Sequence, residues 1–503
     1  MDVLLIYPDI ILKNLHWPGY YYHGIGYLAA VLKKAAHKVK FLHITQPIHK
    51  REFQDKILPV GKSEVIGFSV TTNMWPYAKE WIGWSREKFA EALIIVGGVH
   101  PTLNPEEVIV ADGIDAICLG EGEEALVELC DKLEKDQDIT NIDNIWIKNN
   151  DKIHKNPVRS RLKNLDNLPF PDREIFDYQN LYHENMNEAS VMASRGCPFR
   201  CTYCCNEALG KVFAKKALYV RFRSVQNVIQ ELKHIIKNFT FIKGFAFDDD
   251  VLPLNNRWFR EFAGEYKKEI GLPFTCNIHP TLINEEVAKL LKEAGCWRAH
   301  MGIESGNDKI RYEILNRKIS KEQIIKAFSL LKGNGIKIYS YNLIGLPEEN
   351  TLEILDTIKL NALIGTDECQ VSIFYPYKGT KLYDYCKTTG LLSQKVVTDY
   401  FEDTILNFSL FRRNQVLFFS SYFMGIVGLY DQLYKLPNAL SKVSIKILDG
   451  LFCCQTTFKV ITIFIIKIYP SIRKNRVAII IGRPIKRLVS RVISVRGCVK
   501  LFG

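Results

Sequence analysis

Along its first 139 residues the chain alternates between two hydrophobic periodicities. Short runs that are apolar at nearly every position, DVLLIYPD, KVKFLHI, EVIGFSVTT, ALIIVGG and DAICLGEGE, are separated by longer stretches with helical spacing at Gly24–Ala36, Trp75–Phe89 and Glu124–Glu134. Continuous apolar strands with helices between them predict a parallel sheet covered on both faces. Five such units over residues 1–139 read as a doubly wound, Rossmann-like domain. Its ligand should sit at the carboxyl ends of the strands.

The pattern breaks over residues 140–185, where DNLPFPDREIFD is rich in Pro and Asp and reads as a linker with a turn. A second α/β series fills residues 186–392. Its strand candidates are ASVMAS, GFAFDD, FTCNIHP, RAHMGIES, KIYSYNLIGLP and CQVSIFYPY, with helical stretches at Ser224–Lys237, Asn284–Glu293, Lys321–Lys332 and Leu352–Leu363. Six β/α units of this kind predict a partial (β/α)6 barrel, whose chemistry gathers in the loops after the strands.

Residues 393–503 form a third region, expected to be mostly helical. QVLFFSSYFMGIVGLY and FKVITIFIIKIYP are apolar, but Lys459 and Lys467 interrupt the second. Neither is an unbroken apolar span of about 20 residues, so a transmembrane helix is not expected.

Composition sharpens this picture at two points. With 503 residues, 47% hydrophobic and 24% charged, the chain is globular and long enough for two or three domains. The net charge of +12 is concentrated: after Asp449 there are eleven Lys and Arg and no Asp or Glu. The first 449 residues are close to neutral, and no nucleic-acid partner is expected. The basic tail either packs on the barrel with its charges solvated or makes peripheral contact with an anionic membrane or a lipid-like substrate. MDVLLIYPDI has no basic segment and too short an apolar run for a signal peptide, so a cytoplasmic location is expected, with the inner membrane face as a peripheral site. In a reducing compartment the thirteen cysteines are not a disulfide framework. Cys118, Cys130, Cys276, Cys296, Cys369, Cys386 and Cys498 read as small buried hydrophobes.

The exception is SRGCPFRCTYCCNEAL, with four cysteines in nine residues. Cys197, Cys201 and Cys204 make C-x3-C-x2-C, a spacing that can wrap three corners of a [4Fe–4S] cluster and leave one iron open. A structural zinc site would want two separated pairs of ligands. Cys205 in place of Cys204 gives C-x3-C-x3-C, and the tighter spacing is preferred. Gly196 and Pro198 suit a preset loop, and Tyr203 is placed to cover the cluster.

This loop resembles the signature of the radical S-adenosylmethionine enzymes. RFRSVQNVIQEL, FAFDDD, MGIESGND, NLIGLPEENT and YPYKGTKLY resemble the family's later segments, in the right order. Glu348 and Asn350 depart from the family's usual GLPGET. The resemblance implies that the open iron binds S-adenosylmethionine and that one electron generates a 5′-deoxyadenosyl radical. A reducing protein such as ferredoxin or flavodoxin would supply that electron. It points to Glu304 and Ser305 as contacts to S-adenosylmethionine. Asp248, Asp249, Asp250 and His279 lie at strand ends, where positioning and structural roles are both open.

GFSVTTN, VGGVHPT and LGEGEEAL resemble the cobalamin (B12)-binding domains that precede the barrel in one large subfamily. Ser69, Thr71 and Thr72 are the candidates for lining the nucleotide slot, and Gly97 and Gly98 for close backbone approach to cobalamin. No D-x-H-x-x-G motif supplies a cobalt ligand, and His100 reads as part of its turn. No G-x-G-x-x-G follows the first strand, which disfavours a nicotinamide cofactor. The function implied is a cobalamin-dependent methyltransferase acting on an unactivated carbon of a small-molecule or lipid-like substrate. A cyclase or rearrangement enzyme with the same cofactors, and a non-catalytic sensor, are the alternatives. A methylthiotransferase is disfavoured because no second cysteine triad precedes Cys197.

Overall fold

The computed structural model describes residues 1–10, 17–149, 152–213, 220–395, 397, 401 and 403–458. The apolar runs of the first domain become β1 (Asp2–Pro8), β2 (Lys38–Ile44), β3 (Val65–Ser69), β4 (Leu93–Gly97) and β5 (Ala116–Cys118). They pair in parallel in the order β2-β1-β3-β4-β5. The helices between them are α1 (His23–Lys34), α2 (Lys50–Ile57), α3 (Trp75–Lys88), two short turns α4 (Val99–Leu103) and α5 (Pro105–Ile109), and α6 (Glu123–Glu134). Leu4, Ile6, Ile66, Ile94 and Val96 are fully buried between the helical layers, as expected of strands covered on both faces.

The sheet does not stop at β5. An antiparallel hairpin, β6 (Ile145–Asn149) and β7 (Lys152–Lys155), extends it to seven strands. These residues fall in the stretch that the sequence pattern reads as linker. Only Ile145 and Ile147 of β6 turn into the core, so the hairpin has an edge strand's polarity and lacks the apolar run of the inner strands.

The second sheet holds β8 (Glu188–Val191), β11 (Gly244–Phe247), β12 (Phe274–Ile278), β13 (Cys296–Glu304), β14 (Lys337–Ile344) and β15 (Glu368–Ile373), all parallel and ordered β15-β14-β13-β12-β11-β8. A two-residue ladder, β9 (Ser194–Arg195) with β10 (Arg221–Phe222), stands at its mouth. Outside the sheet run α7 (Cys205–Val212), α8 (Val225–Asn238), α9 (Asn256–Glu269), α10 (Glu285–Ala294), α11 (Lys321–Gly333), α12 (Thr351–Ile364) and α13 (Lys381–Thr388). This is the expected half-barrel of six β/α units. Strand alternation sorts its two faces. On β13, Ala299, Met301 and Ile303 are buried against the helices, and Arg298, His300, Gly302 and Glu304 face the lumen.

The C-terminal region adds α14 (Leu410–Tyr434) and α15 (Asn438–Cys453). Among the described residues α14 alone is long and apolar enough to cross a membrane. Its Val416, Phe419, Tyr422, Phe423, Ile426 and Tyr430 are buried in a core shared with Ile344, Ile358 and Ile373. It is thus a layer helix of the barrel's open edge. FKVITIFIIKIYP, from its second residue onward, and Cys498 lie outside the described residues.

Candidate functional site

The cysteine loop leaves β9 through Gly196, whose φ of +94° is left-handed backbone that favours glycine. Cys201 is buried, and Cys197 and Cys204 are half-buried. Cys204 donates its N–H to the Cys201 carbonyl at 3.2 Å and is itself the N-cap of α7. The loop is fixed from the barrel side. Thr202 donates its N–H to Leu315 O at 3.1 Å and its hydroxyl to Ile314 O at 2.5 Å. Asn316 Nδ2 donates to Arg200 O at 2.8 Å, and Phe199 stacks on His279 with ring centroids 3.6 Å apart. Burial pushes the Cys197 thiol up to about 12 and raises Cys201, although Arg317 opposes the latter. Three soft thiols in one preset loop are the donor set that iron–sulfur clusters use, and metal binding deprotonates such thiols outright.

Arg317 is a residue that sequence reasoning missed. Its Nη1 lies 3.7 Å from Cys201 Sγ, and its Nη2 donates to Gly302 O at 2.7 Å. It also faces Glu304 and Tyr203. Glu304 closes β13 at a register shift and holds φ = +64°, strained backbone for a residue with a side chain. Burial raises its carboxyl, with Arg317 and a hydrogen bond from Tyr203 opposing. Glu304 therefore faces the cysteine loop. Ser305 does not: it is fully buried, and its hydroxyl accepts from Asn307 N at 3.3 Å within the turn.

The three aspartates after β11 divide their roles. Asp249 is fully buried, accepts from Ala193 N at 3.0 Å and from the Ser194 hydroxyl, and ties β9 to β11. Burial pushes it up to about 6. Asp250 accepts from Asn206 Nδ2 at 2.8 Å, and Asp248 lies 3.0 Å from His23 Nε2 of the first domain. His279 bonds to Thr281 Oγ1 at 2.7 Å through Nδ1, and burial depresses it to about 2.

Between the two sheets lies a cavity of about 420 Å3. Its first-domain wall includes Tyr22, Ser69, Gly97, Gly98 and Gly120, and its barrel wall includes Met192, Ser194, Gly196, Asp248 and Asp250. At Gly97, Gly98 and Gly120 the first-domain wall presents bare backbone. Gly98 in particular has φ = +102°, and a Cβ there would lie 2.7 Å from Val70 O. Thr71 and Thr72 stand apart from this wall. Thr71 Oγ1 donates to Asn73 Oδ1 at 2.7 Å, and Thr72 Oγ1 lies 3.3 Å from His100 Nδ1. His100 is buried beside Trp75, and burial lowers it to about 4.

Carboxylates of the first domain clasp the barrel at the cavity rim. Glu123 pairs with Arg195 at 2.7 Å, and Glu121 pairs with Arg221 at 2.5 Å and Arg195 at 3.4 Å. Burial raises the Glu121 carboxyl, but Arg221 and Arg195 outweigh it and hold it below the ordinary value. Glu107 of the first domain also pairs with Lys378 of the barrel.

In the lumen, His300 Nδ1 and the Tyr341 hydroxyl are hydrogen-bonded at 3.2 Å, and His300 Nε2 is buried with no hydrogen-bond partner among the described residues. Burial, with Arg298 and His183 adding, depresses His300 to about 3, so it is a neutral imidazole. Tyr339 lies beside the pair.

Sequence comparison agrees with this geometry. The family model of the radical SAM superfamily matches residues 191–360, and that of the B12 binding domain matches residues 19–130. An uncharacterized methyltransferase of Pyrococcus horikoshii is 30% identical over 373 residues, covering 73% of this chain and 79% of the relative. An anaerobic magnesium-protoporphyrin IX monomethyl ester cyclase of Rubrivivax gelatinosus is 24% identical, covering 76% and 69%. Among solved structures, the radical S-adenosylmethionine methyltransferase TsrM of Kitasatospora setae, with cobalamin and a [4Fe-4S] cluster bound, superposes with a TM-score of 0.62 at 16% identity, over 78% of this chain and 80% of that one.

Proposed function

The chain belongs to the radical S-adenosylmethionine enzymes that carry a B12-binding domain, and on that premise we propose that it is a methyltransferase acting on an unactivated carbon. The observation that carries this reading is the shared cavity. The glycine-lined strand ends of the first domain and the strand ends around the cysteine loop open onto one space, so a group held by either domain faces the other.

When bound, cobalamin supplies a transferable methyl group, and a [4Fe–4S] cluster with S-adenosylmethionine supplies one-electron cleavage to a radical. We assign cluster ligation to Cys197, Cys201 and Cys204. Arg317 places a fixed cation against Cys201, which favours the negative charge that thiolate ligation brings. Glu304, held toward the loop by strained backbone, is assigned to S-adenosylmethionine, with Ser305 only shaping the turn behind it. Ser69, Gly97 and Gly98 are assigned to cobalamin, and Thr71 and Thr72 to the local turn. The carboxylate clasps hold the two walls together, which fixes the geometry of the space between them. His300 and Tyr341 are assigned to the lumen wall, where they are hydrogen-bonded to each other. A neutral imidazole can either donate or accept there without bringing charge into the lumen.

A cyclase among the relatives keeps one second reading: the same cofactors used for ring formation. The deciding experiment is anaerobic reconstitution with candidate substrates. A product one CH2 heavier, formed together with 5′-deoxyadenosine, supports methyl transfer; a product of unchanged carbon count supports the cyclase.

A further inference from the structure

Helix α15 is fixed in orientation by its inner face. Asp449 accepts from the Tyr430 hydroxyl at 2.6 Å and from Lys359 Nζ at 3.0 Å, Gln415 Nε2 donates to Phe452 O at 3.1 Å, and Ser441 and Phe452 are buried. The opposite face cannot turn inward while these contacts hold. That face carries Leu440, Val443, Ile447 and Leu451, which are 53%, 55%, 59% and 36% exposed. Their spacing of three or four residues forms one continuous apolar stripe. Lys446 stands exposed at its border, Lys442 is exposed nearer the inner side, and the helix's one acid, Asp449, is used on the inner side. Contiguous exposed apolar patches are candidates for interaction surfaces.

The charge of the chain that follows decides which surface. Residues 459–503 carry eleven Lys and Arg with no Asp or Glu. An apolar stripe bordered by Lys446, followed by an acid-free basic segment, matches an anionic lipid surface: apolar side chains enter the headgroup boundary and cations meet the negative layer. We propose that α15 docks this enzyme on the surface of an anionic bilayer through Leu440, Val443, Ile447 and Leu451, with the basic C-terminal segment adding electrostatic attraction. Docking is peripheral, since α14 is committed to the barrel's core.

The test is flotation of the full chain with vesicles of phosphatidylcholine alone or with a third of phosphatidylglycerol. The expected result is flotation with the anionic vesicles, weakening as salt rises. Val443→Glu with Ile447→Glu should lower the bound fraction at least tenfold, and Lys446→Gln about fivefold. Unchanged melting of the variants separates this from misfolding. A wild-type chain that stays down with anionic vesicles overturns the proposal, as does equal flotation with neutral ones. Two rival occupants are distinguishable. Dimerisation abolished by Ile447→Glu assigns the stripe to a second copy, and hydrogen exchange at 440–451 that rises on removal of residues 459–503 assigns it to the chain's own tail. Either result overturns membrane docking.

Discussion

Arg195 of the barrel and Glu123 of the B12-binding domain are joined at 2.7 Å, two residues before the first cysteine of the cluster loop. One end of that loop is therefore fixed by the neighbouring domain. Both side chains are largely buried, and Glu121, 3.4 Å from Arg195, remains as a second counter-charge when Glu123 is removed, so the loss should fall below the roughly 3–5 kcal/mol of a fully broken buried pair. Glu123→Ala should lower the melting temperature and also reduce cobalamin retention. Calorimetry and cobalt analysis of the purified variant check both.

Cys197→Ala, Cys201→Ala and Cys204→Ala should each abolish cleavage of S-adenosylmethionine, while Cys205→Ala should not. Iron and sulfide content with 5′-deoxyadenosine formation is the measurement. Cleavage surviving in any of the first three would remove that residue from the ligand set.

Arg317→Gln should keep the cluster but make it harder to reduce, because a cation beside the Cys201 sulfur is lost. A hydrogen bond to a charged group is worth about 1.5–3 kcal/mol, so cleavage should slow about tenfold or more. A redox titration followed by electron paramagnetic resonance should show a lower midpoint potential, with Arg317→Lys intermediate.

The two adjacent glycines separate folding from binding. Gly98 has positive φ and would place a Cβ 2.7 Å from backbone, whereas a Cβ on Gly97 meets Cys118 Cβ at an ordinary 3.6 Å. Gly98→Ala should destabilise by more than about 2 kcal/mol. Gly97→Ala should fold normally but bind cobalamin less tightly. Thermal melts alongside cobalamin titration distinguish the two effects.

Glu349 gives a pH dependence of stability. It is buried, accepts from the backbone N–H groups of Gly345 and Leu346 through Oε2, and burial pushes its carboxyl up to about 8. A carboxyl raised in the folded state favours folding fully below its unfolded value and loses that contribution as pH rises to the folded one. Stability should therefore decline between about pH 4.5 and 8, by a few kcal/mol in order of magnitude. Glu349→Gln should flatten that decline in melts across the range.

Much of this was legible in the chain, for physical reasons. Inner strands announce themselves because both faces are buried, so β1, β3 and β4 are continuous apolar runs and β13 and β14 alternate, whereas the edge strand β2 intersperses its apolar positions with exposed lysines. The cluster loop is local, with all three thiols within eight residues. The hairpin β6–β7 was not legible, since an edge pair with Lys148, Asn149, Lys152 and Lys155 looks like the polar linker around it. Arg317 and His23 carry no motif: each acquires its role only when folding brings it to Cys201 or Asp248. The hydroxyls of Thr71 and Thr72 look like cavity lining in the sequence, but they lie in the turn that leads into α3, and local hydrogen bonds take them.

The central claim is that a methyl group passes through cobalamin held in the interdomain cavity. The most direct measurement supplies the anaerobically reconstituted enzyme with S-adenosylmethionine deuterated in its methyl group and weighs the bound cobalamin by mass spectrometry. The expected result is trideuteromethylcobalamin, diminished in Gly97→Ala. Stoichiometric cobalamin that acquires no label, beside a cluster that still cleaves S-adenosylmethionine, would contradict the methyltransferase account.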